Sequence, residues 1–171
     1  GSPTVNWGAA EKYHTAFDVN QTLANMPKGV YKLTALYASD HGNTGRLVAN
    51  TDTLDIAAGA DKFDMVEGTL TGASADGILN IGMTSDMWFK ADNFRLMYHG
   101  NNKEAAQAYF QAAAPAYGED ELITESLLNS YNEAVSSALA GITSVESAIS
   151  ALASLQDLVD QIAVNKETWK T

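Results

Sequence analysis

The periodicity of the chain changes once, near Gly100–Asn102, and that change constrains the fold more than any other feature. Before it, short runs alternate apolar and polar positions between Gly, Asn, Asp and Pro residues, the two-residue period of half-buried strands. After it glycine becomes rare, alanine, leucine and glutamate dominate, and apolar residues recur every three or four positions, the period of a helix. An all-β unit over residues 1–100, followed by an all-α unit over residues 101–171, is therefore expected.

The strand readings run His14–Val19, Val30–Ala38, Arg46–Asn50, Thr53–Ala57, Met65–Thr71, Gly77–Met83 and Phe89–Tyr98. So many short strands imply a sandwich or a barrel. Tyr31, Leu33, Ala35 and Tyr37 share one face, which should be core, with Lys32 and Thr34 opposite. Phe94, Leu96 and Tyr98 likewise oppose Asn93, Arg95 and His99 in the last strand. Pro27-Lys28-Gly29 supplies a turn, and the segment 71–77 reads as a hairpin connection because its Gly, Ser and Asp residues tolerate tight turns.

Three helices are expected in the second half. The first, Lys103 to Ala114, is stopped by Pro115. The second runs from Glu119 to Ala140 with Glu119, Asp120 and Glu121 at the positive end of its dipole. Thr143-Ser144-Val145-Glu146 matches a capping box for the third. Leu128, Tyr131, Val135, Ala138 and Leu139 form one apolar stripe, and Val145, Ile149, Leu152, Leu155, Val159 and Ile162 another; the two should face each other.

Ten basic residues against 21 acidic ones give a net charge of −11, which repels phosphate backbones and anionic lipid and leaves neutral ligands unaffected. Nucleic acid is an unsuitable partner. The absence of cysteine excludes disulfides, thiolate metal sites and cysteine nucleophiles. No run of about 18 apolar residues offers a membrane span. The histidines His14, His41 and His99 are scattered singly, and no G-x-S-x-G, H-E-x-x-H or phosphate-binding loop is present, so catalysis finds no support. Gly1-Ser2 reads as a protease scar on a cut-out of a longer polypeptide, whose targeting signal would lie elsewhere.

Phe17-Asp18-Val19-Asn20-Gln21-Thr22-Leu23, leading into Met26-Pro27-Lys28-Gly29-Val30-Tyr31, and the closing Ala91-Asp92-Asn93-Phe94-Arg95-Leu96 carry a family-like pattern. Over residues 7–100 the chain resembles the galactose-binding-like β-sandwich modules of secreted bacterial glycan-degrading and adhesive proteins. The resemblance implies a jelly-roll sandwich, an extracytoplasmic location and a non-catalytic glycan-binding role beside neighbouring domains. The chain departs from such modules at Ser39-Asp40, where an Arg often stands. The second half is similar to small three-helix modules that act as spacers in bacterial surface proteins.

A sugar site needs an aromatic face for the pyranose and amide, carboxylate or guanidinium groups for its hydroxyls. If the last strand runs antiparallel beside Val30–Ala38, as the resemblance implies, the loops 39–46 and 84–88 should open at one rim, making Trp88 the candidate platform and Asp40, His41, Asn43 and Arg46 its hydrogen-bonding partners for a neutral glycan. The alternatives stay open: Trp88 as a core cap and the polar loop as a solvated turn. Ala10-Glu11-Lys12-Tyr13 is similar to the start of calcium-bearing carbohydrate modules, with Glu11 and Asp92 as candidate ligands of a structural calcium; otherwise Asp92 bonds the backbone where its strand begins. The rival to glycan binding is a spacer or adhesion module without a small ligand.

Overall fold

A computed structural model describes residues 4–6, 9–12, 15–39, 43–61, 64–118 and 122–169. The chain divides into two compact units, Gly1–Gly100 and Asn101–Thr171. No helix among the described residues is long and apolar enough to cross a membrane.

The first unit is an antiparallel β-sandwich. Its strands are β1 (Thr4–Asn6), β2 (Ala9–Lys12), β3 (Phe17–Leu23), β4 (Gly29–Ala38), β5 (Thr44–Ala49), β6 (Asp52–Ala57), β7 (Val66–Ser74), β8 (Leu79–Ser85) and β9 (Phe89–Gly100). One sheet has the order β1-β2-β9-β4-β7 and the other β3-β8-β5-β6. Alternation decides what lies between them. Leu33, Ala35 and Tyr37 of β4 are fully buried with Leu47 and Ala49 of β5, Met83 of β8 and Phe89 of β9. Each such Leu, Met or Phe contributes about 1.5–3 kcal/mol relative to an exposed position. Two glycines permit close approach. A Cβ on Gly45 would stand 2.4 Å from the Tyr37 ring, and Gly29, at φ 149°, would bring one to 2.5 Å from the Gly100 carbonyl oxygen.

Three expectations are corrected. The strand expected at His14–Val19 runs instead from Phe17 to Leu23, because its polar run Asn20-Gln21-Thr22 pairs in register with Asn80–Gly82 of β8; His14 lies outside the described residues. The segment 71–77 is not a hairpin. β7 pairs with β4 in one sheet while β8 lies between β3 and β5 in the other, so the chain crosses the sandwich there; turn residues announce a bend, not which strand pairs next. Tyr98, expected in the core, is 47% exposed at the end of β9, packed 5.2 Å from the Tyr31 ring and donating its hydroxyl to the Lys28 carbonyl. Strands β1 and β2 were not anticipated.

The second unit contains α1 (Lys103–Ala113), α2 (Glu125–Gly141) and α3 (Val145–Thr168). Asn102 caps α1 by accepting from the Ala105 N–H, and the helix ends before Pro115. α2 begins at Glu125, later than the sequence pattern implied, and residues 119–121 lie outside the described ones. The box that opens α3 is Ser144 with Ser147, one residue along from Thr143–Glu146: Ser144 Oγ accepts from the Ser147 N–H, and Ser147 Oγ accepts from the Ser144 N–H. A short hydroxyl at the third position closes the box as an acidic residue would. Of the two stripes, Tyr131 of α2 and Val145, Leu155 and Ile162 of α3 are buried and the other members half-buried; Tyr109 and Phe110 of α1 are buried with them.

Candidate functional site

The loop after β4 and the loop between β8 and β9 meet at one end of the sandwich. Ser39 Oγ donates to the Trp88 carbonyl at 2.9 Å, and Ser85 Oγ donates to the Thr44 carbonyl at 3.1 Å. The hydroxyl of Tyr37 donates to the Asn43 carbonyl at 2.9 Å, and Asn43 Nδ2 donates to Ser39 Oγ at 3.3 Å. Asn43 therefore holds the base of its loop, with its amide N–H and its backbone carbonyl both engaged inside the protein. Asp40 and His41 lie outside the described residues.

Trp88 is not an open platform. It is 4% exposed. Its indole N–H donates to Glu11 Oε1 on β2 at 3.0 Å, and the Lys90 ammonium lies 5.3 Å from the ring centre. Glu11 and Lys90 are cross-strand partners in the β2–β9 pair, so side chains of two adjacent strands cover the indole. A ring so enclosed offers no face to a pyranose, which corrects its expected role.

Arg46 stands elsewhere, on the outward face of β5, with the core-facing Leu47 beside it. Its Nε donates to Asp55 Oδ1 at 2.7 Å and its Nη2 to Asp55 Oδ2 at 3.2 Å, a two-point pair across the β5–β6 hairpin. The hydrogen bond to Asp55, reinforced by that carboxylate's charge, raises the guanidinium pKa, and the charge of Asp86 adds to the effect. The same hydrogen bond holds the Asp55 carboxyl below the usual carboxylate range. With side-chain exposures of 57% and 54%, the pair is screened by solvent and adds little stability, and both groups remain open to a ligand.

Around this pair the outward face of the β3-β8-β5-β6 sheet forms rows. Asp18, Thr84, Arg46 and Asp55 occupy one row across the four strands, and Asn20, Gly82, Val48 and Thr53 the next. Asn20 Nδ2 donates to Asp18 Oδ2 at 2.8 Å, and Thr22 Oγ1 donates to Asn80 Oδ1 at 2.7 Å. Carboxylate, guanidinium, amide and hydroxyl thus share one sheet face, on strands about 4.8 Å apart. Sequence reasoning found Arg46 and missed Asp55, Asp18, Asn20 and Thr84. A two-residue turn at Asn50-Thr51 was the available signal, since it sets Arg46 opposite Asp55.

Glu11 and Asp92, the candidate calcium ligands, each accept a hydrogen bond within the protein. The Glu11 carboxylate accepts from the Trp88 indole, and Asp92 Oδ1 accepts from the Asn93 N–H at 2.6 Å, where the strand bulges and Asn93 takes φ 55°. Among the described residues no three acidic or histidine side chains gather where they could hold a metal ion.

No family model matches the sequence, and no curated protein matches it. Among solved structures, the C-terminal domain of EclA, a sugar-binding protein, is similar over 57% of this chain and 79% of its own, at 15% identity and a TM-score of 0.44. The mannan-binding module from Man5C is similar over 57% of this chain and 88% of its own, at 16% identity and a TM-score of 0.44. A family 35 carbohydrate-binding module from Clostridium thermocellum is similar over 52% of this chain and 78% of its own, at 15% identity and a TM-score of 0.42.

Proposed function

We propose that the β unit is a non-catalytic carbohydrate-binding module of a larger secreted or cell-surface protein, and that it holds neutral glycan on the outward face of the β3-β8-β5-β6 sheet. The observation that carries this reading is the exposed Arg46–Asp55 pair, bordered in register by Thr84, Asp18 and Asn20. A guanidinium donates to sugar oxygens, and a carboxylate accepts from neighbouring hydroxyls. The surplus of acidic groups disfavours anionic polymers and leaves neutral ones unaffected. Contact with so shallow a face is weak, and appended modules gain strength through effective concentration. The helical unit serves as the spacer.

Electrophoresis through gels cast with neutral polysaccharides tests this. Retardation by one of them, lost in Arg46→Ala and in Asp55→Ala while circular dichroism stays unchanged, supports the site. Retardation that survives both substitutions removes it.

A spacer without a small ligand is the second reading, and the enclosure of Trp88 favours it. Melting temperatures that do not rise with any sugar in a broad panel would select it, because a ligand of the folded state must stabilise that state by mass action.

A further inference from the structure

The three large apolar side chains most exposed in the helical unit gather at one end of it. They are Leu122 at 50%, Val164 at 68% and Trp169 at 60%. The Thr124 N–H, just before α2, donates to Asn165 Oδ1 near the end of α3 at 2.9 Å. Val164 adjoins Asn165, Trp169 follows it by about one turn, and Leu122 precedes Thr124 by two residues. Beside this contact runs a groove of about 440 Å³ lined by Leu127, Asp160, Gln161, Val164, Asn165 and Thr168. An apolar seat on an otherwise polar helix pair marks an interaction surface.

Charge states what fits the seat. Asp160 lines the groove, Asp157 is exposed one turn earlier on α3, and in sequence the acidic run Glu119-Asp120-Glu121 leads directly into Leu122. In residues 101–171 only Lys103, Lys166 and Lys170 offset the many acidic residues, and the Lys166 ammonium lies 5.8 Å from the Tyr117 ring centre. A second copy of this chain would bring the same acidic surface to the contact, at a net charge of −11 each, and be repelled.

We propose that the groove between the start of α2 and the end of α3 docks a basic amphipathic helix of a partner protein, its apolar stripe on Leu127 and Val164 and its lysines or arginines toward Asp157 and Asp160. This is the helix-in-groove mode of recognition, with anchors at helical spacing. It shares no residue with the sugar site, which lies wholly in the β unit.

Fluorescence anisotropy of a labelled Lys/Leu amphipathic peptide, titrated with the full chain, tests the proposal against a scrambled peptide of equal charge. Binding of the amphipathic peptide alone, weakened about tenfold or more in Val164→Asp and measurably in Val164→Ala, is expected. Val164→Asp adds a negative charge, so attraction by charge alone would strengthen in that variant. Strengthened or unchanged affinity therefore overturns the proposal, as do equal binding of both peptides and no binding at all. Sedimentation of the free chain as a dimer that Val164→Asp dissolves would overturn it in favour of self-association.

Discussion

The indole N–H of Trp88 donates to the Glu11 carboxylate at 3.0 Å although the two residues stand 77 apart in the chain. One bond thereby fastens the short strand β2 to the start of β9 and closes the indole off from solvent. The pairing of β2 with β9 spans only Ala10, Glu11 and Lys12 against Ala91, Lys90 and Phe89, so side-chain contacts weigh heavily in holding that strand.

Removing either partner should therefore be read in stability and not in ligand binding. Trp88→Ala is expected to cost about 3–5 kcal/mol, the usual loss for a buried large aromatic side chain. Glu11→Ala should cost about 1–2 kcal/mol by stranding an indole N–H, and Glu11→Gln much less, because its amide oxygen still accepts. Urea denaturation measures all three. A Glu11→Ala chain as stable as the parent would detach β2 from the indole.

The Arg46–Asp55 pair makes a statement about pH. Asp55 titrates below the usual aspartate value because Arg46 hydrogen-bonds its charged form, so its folded pKa lies under the unfolded one. The small stability this supplies is present above the unfolded pKa of about 3.9 and is lost as pH falls through the folded value. Nuclear magnetic resonance titration of the Asp55 carboxyl carbon should place its midpoint below about 3.9, and Arg46→Ala should return it to the ordinary range. A midpoint that Arg46→Ala leaves in place would dissolve the pair. Glycan retardation, if it uses this pair, should weaken over the same acid interval.

Much of the sandwich was legible because burial follows a period of two. Tyr31, Leu33 and Ala35 alternate with the polar Lys32 and Thr34, Tyr37 continues the same face, and all four are essentially buried. The boundary at Gly100 was legible for the same reason, since a helix and a strand cannot share a period. Trp88 was not legible: a tryptophan after a polar loop looks alike whether it faces solvent or is covered, and the covering side chain comes from a distant, polar four-residue strand. Nor was the sheet assignment of β7 and β8, because local turn chemistry carries no information about partners on the far side of the core. Arg46 was legible as a charged residue beside a loop, while its partner Asp55 required the register of the hairpin.

Asn50 joins the two sheets through a single side chain and provides the sharpest test of the sandwich. Its Nδ2 donates to the Ala73 carbonyl of β7 at 2.9 Å and to the Ile78 carbonyl at 3.2 Å, while its Oδ1 accepts from the Asn80 N–H of β8 at 2.8 Å. It also takes φ 55°, a conformation that asparagine tolerates better than alanine. Two separable losses follow. Asn50→Gly keeps the backbone comfortable and removes the bonds, which should cost about 0.5–1.5 kcal/mol, because their partners are exposed or only part-buried and water can replace them. Asn50→Ala adds about 1 kcal/mol of left-handed strain to that loss. Asn50→Asp keeps the acceptor but turns an oxygen toward two carbonyls, so it should be at least as damaging as glycine despite its matching shape and its own tolerance of the conformation. Urea midpoints give the order, and an aspartate variant as stable as the parent would show that the amide does not bridge the sheets.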